Sequence, residues 1–133
     1  MRLFLVLAVL SAGCADECLT AESHCDGART IESCVQTDGF LGDHWGDAGD
    51  CPRGSVCVDV VDSRDGRRDA FCASSAEPDP RCPEGMTSRT GYLDRCIDPD
   101  TQLRCYFGYA LEISCELGCE RSSDGSHGQC ARS

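Results

Sequence analysis

The 133-residue chain contains no lysine and no asparagine, and it has few large apolar side chains. Leu, Ile, Val and Phe make up about 14% of residues 14–133, where less than about 20% in a highly charged chain normally indicates disorder. The absence of asparagine excludes N-glycosylation. The shortage of apolar residues excludes a doubly wound enzyme, a barrel enzyme and a multi-pass membrane protein.

Positive charge is also scarce. Twelve basic residues stand against 23 acidic residues, which gives a formal net charge of -11. A nucleic-acid phosphate backbone would be repelled by this charge, so we expect no nucleic-acid partner.

Cysteine, in contrast, is abundant, with 13 residues in the chain. A short exported chain of this composition usually holds its fold with disulfides in place of a large apolar core. The composition therefore predicts a small disulfide-rich fold.

The N-terminus has the layout of an export signal. Arg2 precedes an apolar run over residues 3–10, which is too short for a transmembrane helix of about 20 apolar residues. Small residues follow at 11–13, and then comes Cys14. We therefore expect residues 1–13 to be a signal peptide.

The stretch Leu10-Ser11-Ala12-Gly13-Cys14 resembles the lipobox of bacterial lipoproteins, with Ser11 where that family usually has leucine. In that family the signal is cut before the cysteine, which then carries the lipid. The resemblance implies a lipid anchor on Cys14, a tether over residues 14–17 and a location at the bacterial outer membrane. An ordinary signal, cut to release a soluble extracellular protein that begins at Asp16, is the alternative.

Cysteine parity agrees with a separate role for Cys14, because the twelve remaining cysteines can form six disulfides. These twelve fall into two sets of six, within residues 18–72 and 82–130, and eight residues separate the second and third cysteine in both sets. The pattern predicts two tandem copies of one six-cysteine module. The sets are Cys18, Cys25, Cys34, Cys51, Cys57 and Cys72, then Cys82, Cys96, Cys105, Cys115, Cys119 and Cys130.

The stretch between the two sets, residues 73–81, is a linker rich in proline, serine and acidic residues. Its two prolines, Pro78 and Pro80, predict a semi-extended spacer. We expect such a spacer to leave the two modules loosely oriented.

Each module is predicted to contain a β-hairpin. Residues 56–60 alternate valine with other residues and lead to Asp65-Gly66, a favoured hairpin turn. Ser122-Ser123-Asp124-Gly125-Ser126 is the shorter equivalent turn in the second module. Residues 107–113 also alternate, which predicts a half-buried strand, and nothing after the signal has convincing helical periodicity. Because a hairpin would bring the fifth and sixth cysteines together, we expect Cys57–Cys72 and Cys119–Cys130 bridges, and the other pairings stay open.

No residue pattern predicts catalysis or a cofactor. The three histidines, His24, His44 and His127, belong to no recognisable catalytic motif, so we expect a protein that is not an enzyme.

Two residue patterns contain possible metal ligands, but each has a simpler interpretation, so neither metal site is predicted. Cys115-x3-Cys119 with His127-x2-Cys130 has spacing suited to zinc, but disulfides are favoured in an exported chain. The acidic loop at 38–50 has oxygen ligands suited to calcium but lacks EF-hand spacing. A solvated acidic loop is the simpler interpretation of residues 38–50.

Recognition of a partner is the remaining class of function. The candidate binding residues are Trp45, Tyr106, Phe107 and Tyr109, because exposed aromatics on stapled loops make good interface anchors. Alternatively, these rings form the small core of each module. The candidate partners are the membrane, through the lipid anchor, and a protein or glycan at the cell surface.

Overall fold

The computed structural model describes residues 18–37, 42–87 and 92–133. Ten strands in four small antiparallel sheets build this part of the chain, and no helix occurs in it. Accordingly, it contains no helix able to cross a membrane. The predicted signal at 1–13, the anchor residue Cys14 and the tether at 14–17 lie outside the described residues.

The first segment, residues 18–72, contains a three-stranded sheet and a hairpin. Strands β1 (Ser23–Asp26), β2 (Thr30–Val35) and β3 (His44–Asp50) form the sheet, with β2 in the middle. Strands β4 (Val56–Val61) and β5 (Arg68–Ala73) form the hairpin. The predicted hairpin is therefore confirmed, but Asp65-Gly66 lies within a six-residue loop over 62–67 and does not form a two-residue turn.

The second segment, residues 82–130, repeats this order of elements. Strands β6 (Tyr92–Asp98), β7 (Thr101–Tyr106) and β8 (Tyr109–Ser114) form a three-stranded sheet, with β7 in the middle. Strands β9 (Cys119–Arg121) and β10 (Gly128–Cys130) form a hairpin. The predicted class, a small disulfide-rich fold with hairpins and little helix, is confirmed.

Six disulfides join the twelve cysteines of the described residues, and none of them links the two sets. In each set the first cysteine bonds the third, the second bonds the fifth and the fourth bonds the sixth. The bridges are Cys18–Cys34, Cys25–Cys57, Cys51–Cys72, Cys82–Cys105, Cys96–Cys119 and Cys115–Cys130.

The predicted bridges Cys57–Cys72 and Cys119–Cys130 are wrong, although the two cysteines of each pair are neighbours. Each of these pairs does lie directly opposite across its hairpin. The backbone hydrogen bonds of the ladder already hold the two hairpin strands together. The cysteines instead attach each hairpin to its three-stranded sheet, a contact that the small apolar core would hold only weakly.

The apolar core lies on one face of the second sheet. Leu103 is fully buried at its centre, beside the buried Cys82–Cys105 bridge and Ala110. Met86, Leu93 and Ile97 pack against this cluster. Because disulfides fill much of this space, cysteine contributes to the core as well as to the cross-links.

The two segments are packed against each other, so the expected loose orientation is wrong. The linker runs beside β8: the Ser74 amide donates to the Ala110 carbonyl at 2.8 Å, and the Glu112 amide donates to Ser74 Oγ at 3.0 Å. Further along, Arg81 pairs with Glu112 at 2.8 Å. The prolines do extend the linker, but its polar groups are bonded to the second sheet.

Candidate functional site

One face of the second sheet carries all three tyrosines of the chain. Tyr106 on the central strand β7 lies opposite Tyr92 on β6 and opposite Tyr109 on β8. Directly opposed residues project from the same face of a sheet, so the three rings lie in one row. The opposite face is the one that packs on the core, and we call this outer face the tyrosine face.

The next row of the tyrosine face contains an ion pair. Arg104 lies between Asp94 and Leu111, and its Nε donates to Asp94 Oδ1 at 2.9 Å. Hydrogen bonding to Asp94 raises the pKa of Arg104 above its ordinary value. Arg104 therefore stays charged at physiological pH, as one half of an ion pair with Asp94.

The β9–β10 hairpin covers the third row of the tyrosine face. This row contains Cys96, Gln102 and Ile113. Cys96 is bonded to Cys119, and the Cys130 amide donates to the side-chain oxygen of Gln102 at 3.2 Å. The hairpin thus forms a wall at one end of the face.

Phe71 of the first segment forms the wall at the other end. Its ring meets Tyr106 edge-on at 4.8 Å, stacks on Phe107 at 6.0 Å and meets Tyr109 at 5.9 Å. The Tyr106 hydroxyl donates to Asp69 at 2.9 Å. The structure therefore brings three of the candidate binding residues together against Phe71 of β5: Tyr106, Phe107 and Tyr109.

Two clefts lie on the tyrosine face, on either side of the Arg104–Asp94 pair. The aromatic cleft has a volume of about 200 Å³, and the polar cleft has a volume of about 340 Å³. The aromatic cleft is lined by Phe71, Cys72, Arg104, Tyr106, Tyr109 and Leu111. The polar cleft is lined by Tyr92, Asp94, Glu120, Arg121, Ser122, His127, Gly128 and Gln129.

Phe107 differs from the other candidate residues because it is only 8% exposed. It forms a two-residue turn with Gly108 between β7 and β8, and both residues have positive φ, 52° and 82°. A hairpin turn of this shape favours Asn or Gly at both positions, so phenylalanine is strained there. The ring stacked on Phe71 compensates for this strain by joining the two segments.

We predict that Phe107→Asn weakens the junction while leaving the turn intact, because asparagine tolerates positive φ. Loss of a buried phenylalanine costs about 3–5 kcal/mol, offset by relief of about 1 kcal/mol of turn strain. Thermal unfolding should therefore show a loss of about 2–4 kcal/mol. The control Leu117→Ala, at a site 61% exposed, should change stability by less than about 0.5 kcal/mol. Equal stability of both variants would contradict this role for Phe107.

Trp45, the fourth candidate, lies on β3, outside the tyrosine face. Its ring meets His24 edge-on at 4.2 Å, and the Arg68 guanidinium lies 5.3 Å from the ring centre. His24 in turn pairs with Glu32 at 3.3 Å. These contacts make Trp45 part of a separate polar cluster on the first segment.

Neither metal candidate gains support from these contacts. In the zinc pattern, Cys115 is bonded to Cys130 and Cys119 is bonded to Cys96. Across 18–37, 42–87 and 92–133, no group of three or more potential metal-binding side chains is found. Of the predicted acidic loop, residues 38–41 lie outside the described part, and His44–Asp50 form strand β3, so a loop is wrong for that stretch. Within it, Asp50 accepts a hydrogen bond from Thr30 at 2.8 Å.

Sequence reasoning missed Tyr92 and the polar groups around it. Tyr92 and Asp94 alternate along β6, as Arg104 and Tyr106 do along β7, and this alternation was the available signal. The placement of the β9–β10 hairpin beside them follows from the disulfide pairing, which the spacing left open.

Comparison of the chain with protein families, curated proteins and solved structures finds no match.

Proposed function

We propose that this chain is an exported, lipid-anchored protein of the bacterial cell envelope that displays a recognition surface and performs no catalysis. The observation that carries the proposal is the complete pairing of the twelve cysteines in the described residues. Cys14 is then left without a cysteine partner in the chain, and lipid attachment would use its thiol. The lipobox-like residues before Cys14 support the same role.

The scaffold of this protein consists, in our proposal, of two copies of one six-cysteine module. Two features support duplication: the shared first–third, second–fifth and fourth–sixth pairing, and the shared order of a three-stranded sheet followed by a hairpin. The copies then differ at their surfaces. Only the second presents the row of three tyrosines.

The anchor has to hold the protein at the membrane without help from its charge. A chain with a net charge of -11 is repelled by anionic lipid. Acyl chains contribute about 0.8 kcal/mol for each buried methylene, and two or more chains give stable anchoring. The first described cysteine, Cys18, is four positions after Cys14, so the folded part would lie close to the bilayer.

The mass of the intact protein from its native host tests this proposal. The unreduced protein should be recovered from membranes, begin at Cys14, carry acyl chains and be twelve hydrogens lighter than its fully reduced form. Treatment with a lipase should remove the part of the excess mass that consists of ester-linked acyl chains. A Cys14→Ser variant is the matched control, because it keeps all six bridges and should leave the membrane fraction.

The alternative is a freely secreted cysteine-rich binding or inhibitor protein. It predicts a species in the culture fluid that begins near Asp16, lacks twelve hydrogens and carries no lipid. Recovery of that species alone would reject the anchor and keep the disulfide-stapled scaffold. A full complement of free thiols would reject both forms of the proposal.

A further inference from the structure

We infer that the polar cleft binds a neutral saccharide, with Tyr92 as the platform under the sugar ring. This inference names the ligand class of the proposed recognition surface and rests on that proposal. It is independent of the lipid anchor, because the cleft belongs wholly to the second segment.

The platform is an aromatic side chain that the described residues leave mostly exposed. Tyr92 begins β6 and is 63% exposed, the largest exposure among the large apolar and aromatic side chains of that part of the chain. One face of a pyranose ring carries several C–H groups, and the flat face of a tyrosine ring can bury them. An exposed Tyr92 therefore has the shape and the apolar surface that a sugar ring requires.

The rest of the cleft supplies both hydrogen-bond donors and hydrogen-bond acceptors. Sugar hydroxyls donate and accept, so their recognition needs both kinds of partner. Carboxylates of Asp94 and Glu120 accept, the Arg121 guanidinium donates, and the Gln129 amide does both. Glu120 and Gln129 have no side-chain hydrogen bond to any other described residue, and their polar groups therefore remain available to a ligand.

The charge of the protein favours a neutral saccharide over an anionic one. Asp94 is already paired with Arg104, and Glu120 and Arg121 add one charge of each sign, so the cleft is close to neutral on a chain with a net charge of -11. Sulfated or uronic acid chains would be repelled by this net charge. The volume of about 340 Å³ is at the lower end of the ~300–1,000 Å³ range of small-molecule sites, which suits one or two sugar units.

A peptide is the less favoured occupant. Peptides commonly bind sheets by adding a strand to a free edge. The linker covers part of the β8 edge through Ser74, and β10 packs beside β6, where Gly128 lies against Cys96. Neither edge strand of the second sheet therefore presents its whole length as a free ladder.

The test is titration of the intact protein from its host with four neutral trisaccharides, read by saturation-transfer NMR. The probes are β-1,4-linked N-acetylglucosamine, β-1,4-linked glucose, α-1,4-linked glucose and α-linked mannose, with a trigalacturonate as the anionic comparison. At least one neutral probe should bind, and Tyr92→Ala should weaken it by about tenfold or more. Tyr92→Phe keeps the ring face and should stay within about threefold of the parent protein, because no described contact requires its hydroxyl.

Tyr109→Ala is the matched control, because Tyr109 belongs to the same row but lines the aromatic cleft. It should change the affinity by less than about twofold, whereas a loss equal to that of Tyr92→Ala would place the ligand elsewhere. Each variant is first checked for six disulfides by mass.

Three further results would overturn the inference. The first is that no neutral probe binds at about 10 mM, a concentration at which a 1 mM dissociation constant gives near saturation. The others are binding that Tyr92→Ala does not affect and preferential binding of the trigalacturonate. If sugar binding fails while the membrane form still carries lipid on Cys14, the saccharide inference alone is lost. If instead the protein lacks lipid but binds sugar, the cleft stands and the anchor is rejected.

Discussion

Reduction and alkylation of all six disulfides is expected to unfold both segments at temperatures where the oxidised protein is fully folded. The bridges close loops with sequence separations from 15 to 32 residues, and a loop of about 15 residues corresponds to about 3 kcal/mol of stabilisation. A domain of this size is stable by about 5–15 kcal/mol in total. The loss of six such bridges is therefore larger than the total free energy of unfolding of the native state.

Far-UV circular dichroism and amide chemical-shift dispersion measure this outcome directly. Iodoacetamide without reductant is the control, and it should leave both signals unchanged because the described cysteines are all oxidised. Partial reduction followed by mass mapping gives the order in which the disulfides are reduced. Cys25–Cys57 should be reduced early, since neither cysteine is buried, and Cys82–Cys105 should be reduced late, since both are buried. Native chemical-shift dispersion after complete alkylation would refute the scaffold argument.

The sequence predicted the local elements because their signals are local. Val56, Val58 and Val60 alternate over a strand that is half buried, and Gly66 adopts the positive φ of 72° that its turn requires. Both features depend on residues within one hairpin. The same reasoning placed Cys57 opposite Cys72 correctly.

Disulfide pairing could not be predicted in this way, because it depends on which element each hairpin packs against. Cys57 lies opposite Cys72 but bonds Cys25 of β1, which is 32 positions away in sequence. Six cysteines allow 15 pairings, and the spacing does not distinguish among them. The repeated pairing in the second set reflects the same packing of a hairpin on a sheet.

The candidate site was predictable only in part. The sequence indicates Tyr106 and Tyr109 as candidate exposed aromatics on a stapled loop, and the structure places them on the outer face of the sheet. Tyr92 was missed because it enters the row only through the register of β6 against β7. The strained Phe107 turn was also unpredictable from local preferences, since the contact with Phe71 that compensates for it comes from the other segment.

Gly128→Ala is expected to lift the β9–β10 hairpin off the second sheet and so to damage the polar cleft. Gly128 is buried against β6, and a Cβ at this position would meet the backbone nitrogen of Cys96, its Sγ at 2.6 Å and the carbonyl carbon of Arg95 at 3.0 Å. These atoms belong to a strand backbone and to the Cys96–Cys119 bridge. They cannot rotate away as a side chain would, so the hairpin itself has to move.

Overpacking of this kind costs about 1–3 kcal/mol, and more where the backbone is displaced. Gly46→Ala is the matched control, because it is also a strand glycine without positive φ and its Cβ would meet only one side chain closely, that of Val35 at 2.6 Å. Val35 is 40% exposed and can rotate toward solvent, so this variant should lose less than about 0.5 kcal/mol.

Thermal unfolding of the two variants measures the difference, and amide exchange at Glu120, Arg121 and Gln129 locates it. Faster exchange at these positions in Gly128→Ala, with native rates in Gly46→Ala, would show that the hairpin no longer packs against the second sheet. If the two variants lost the same stability, contact with Cys96 would not be what fixes the hairpin. The shape of the polar cleft would then depend on contacts other than the one between Gly128 and Cys96.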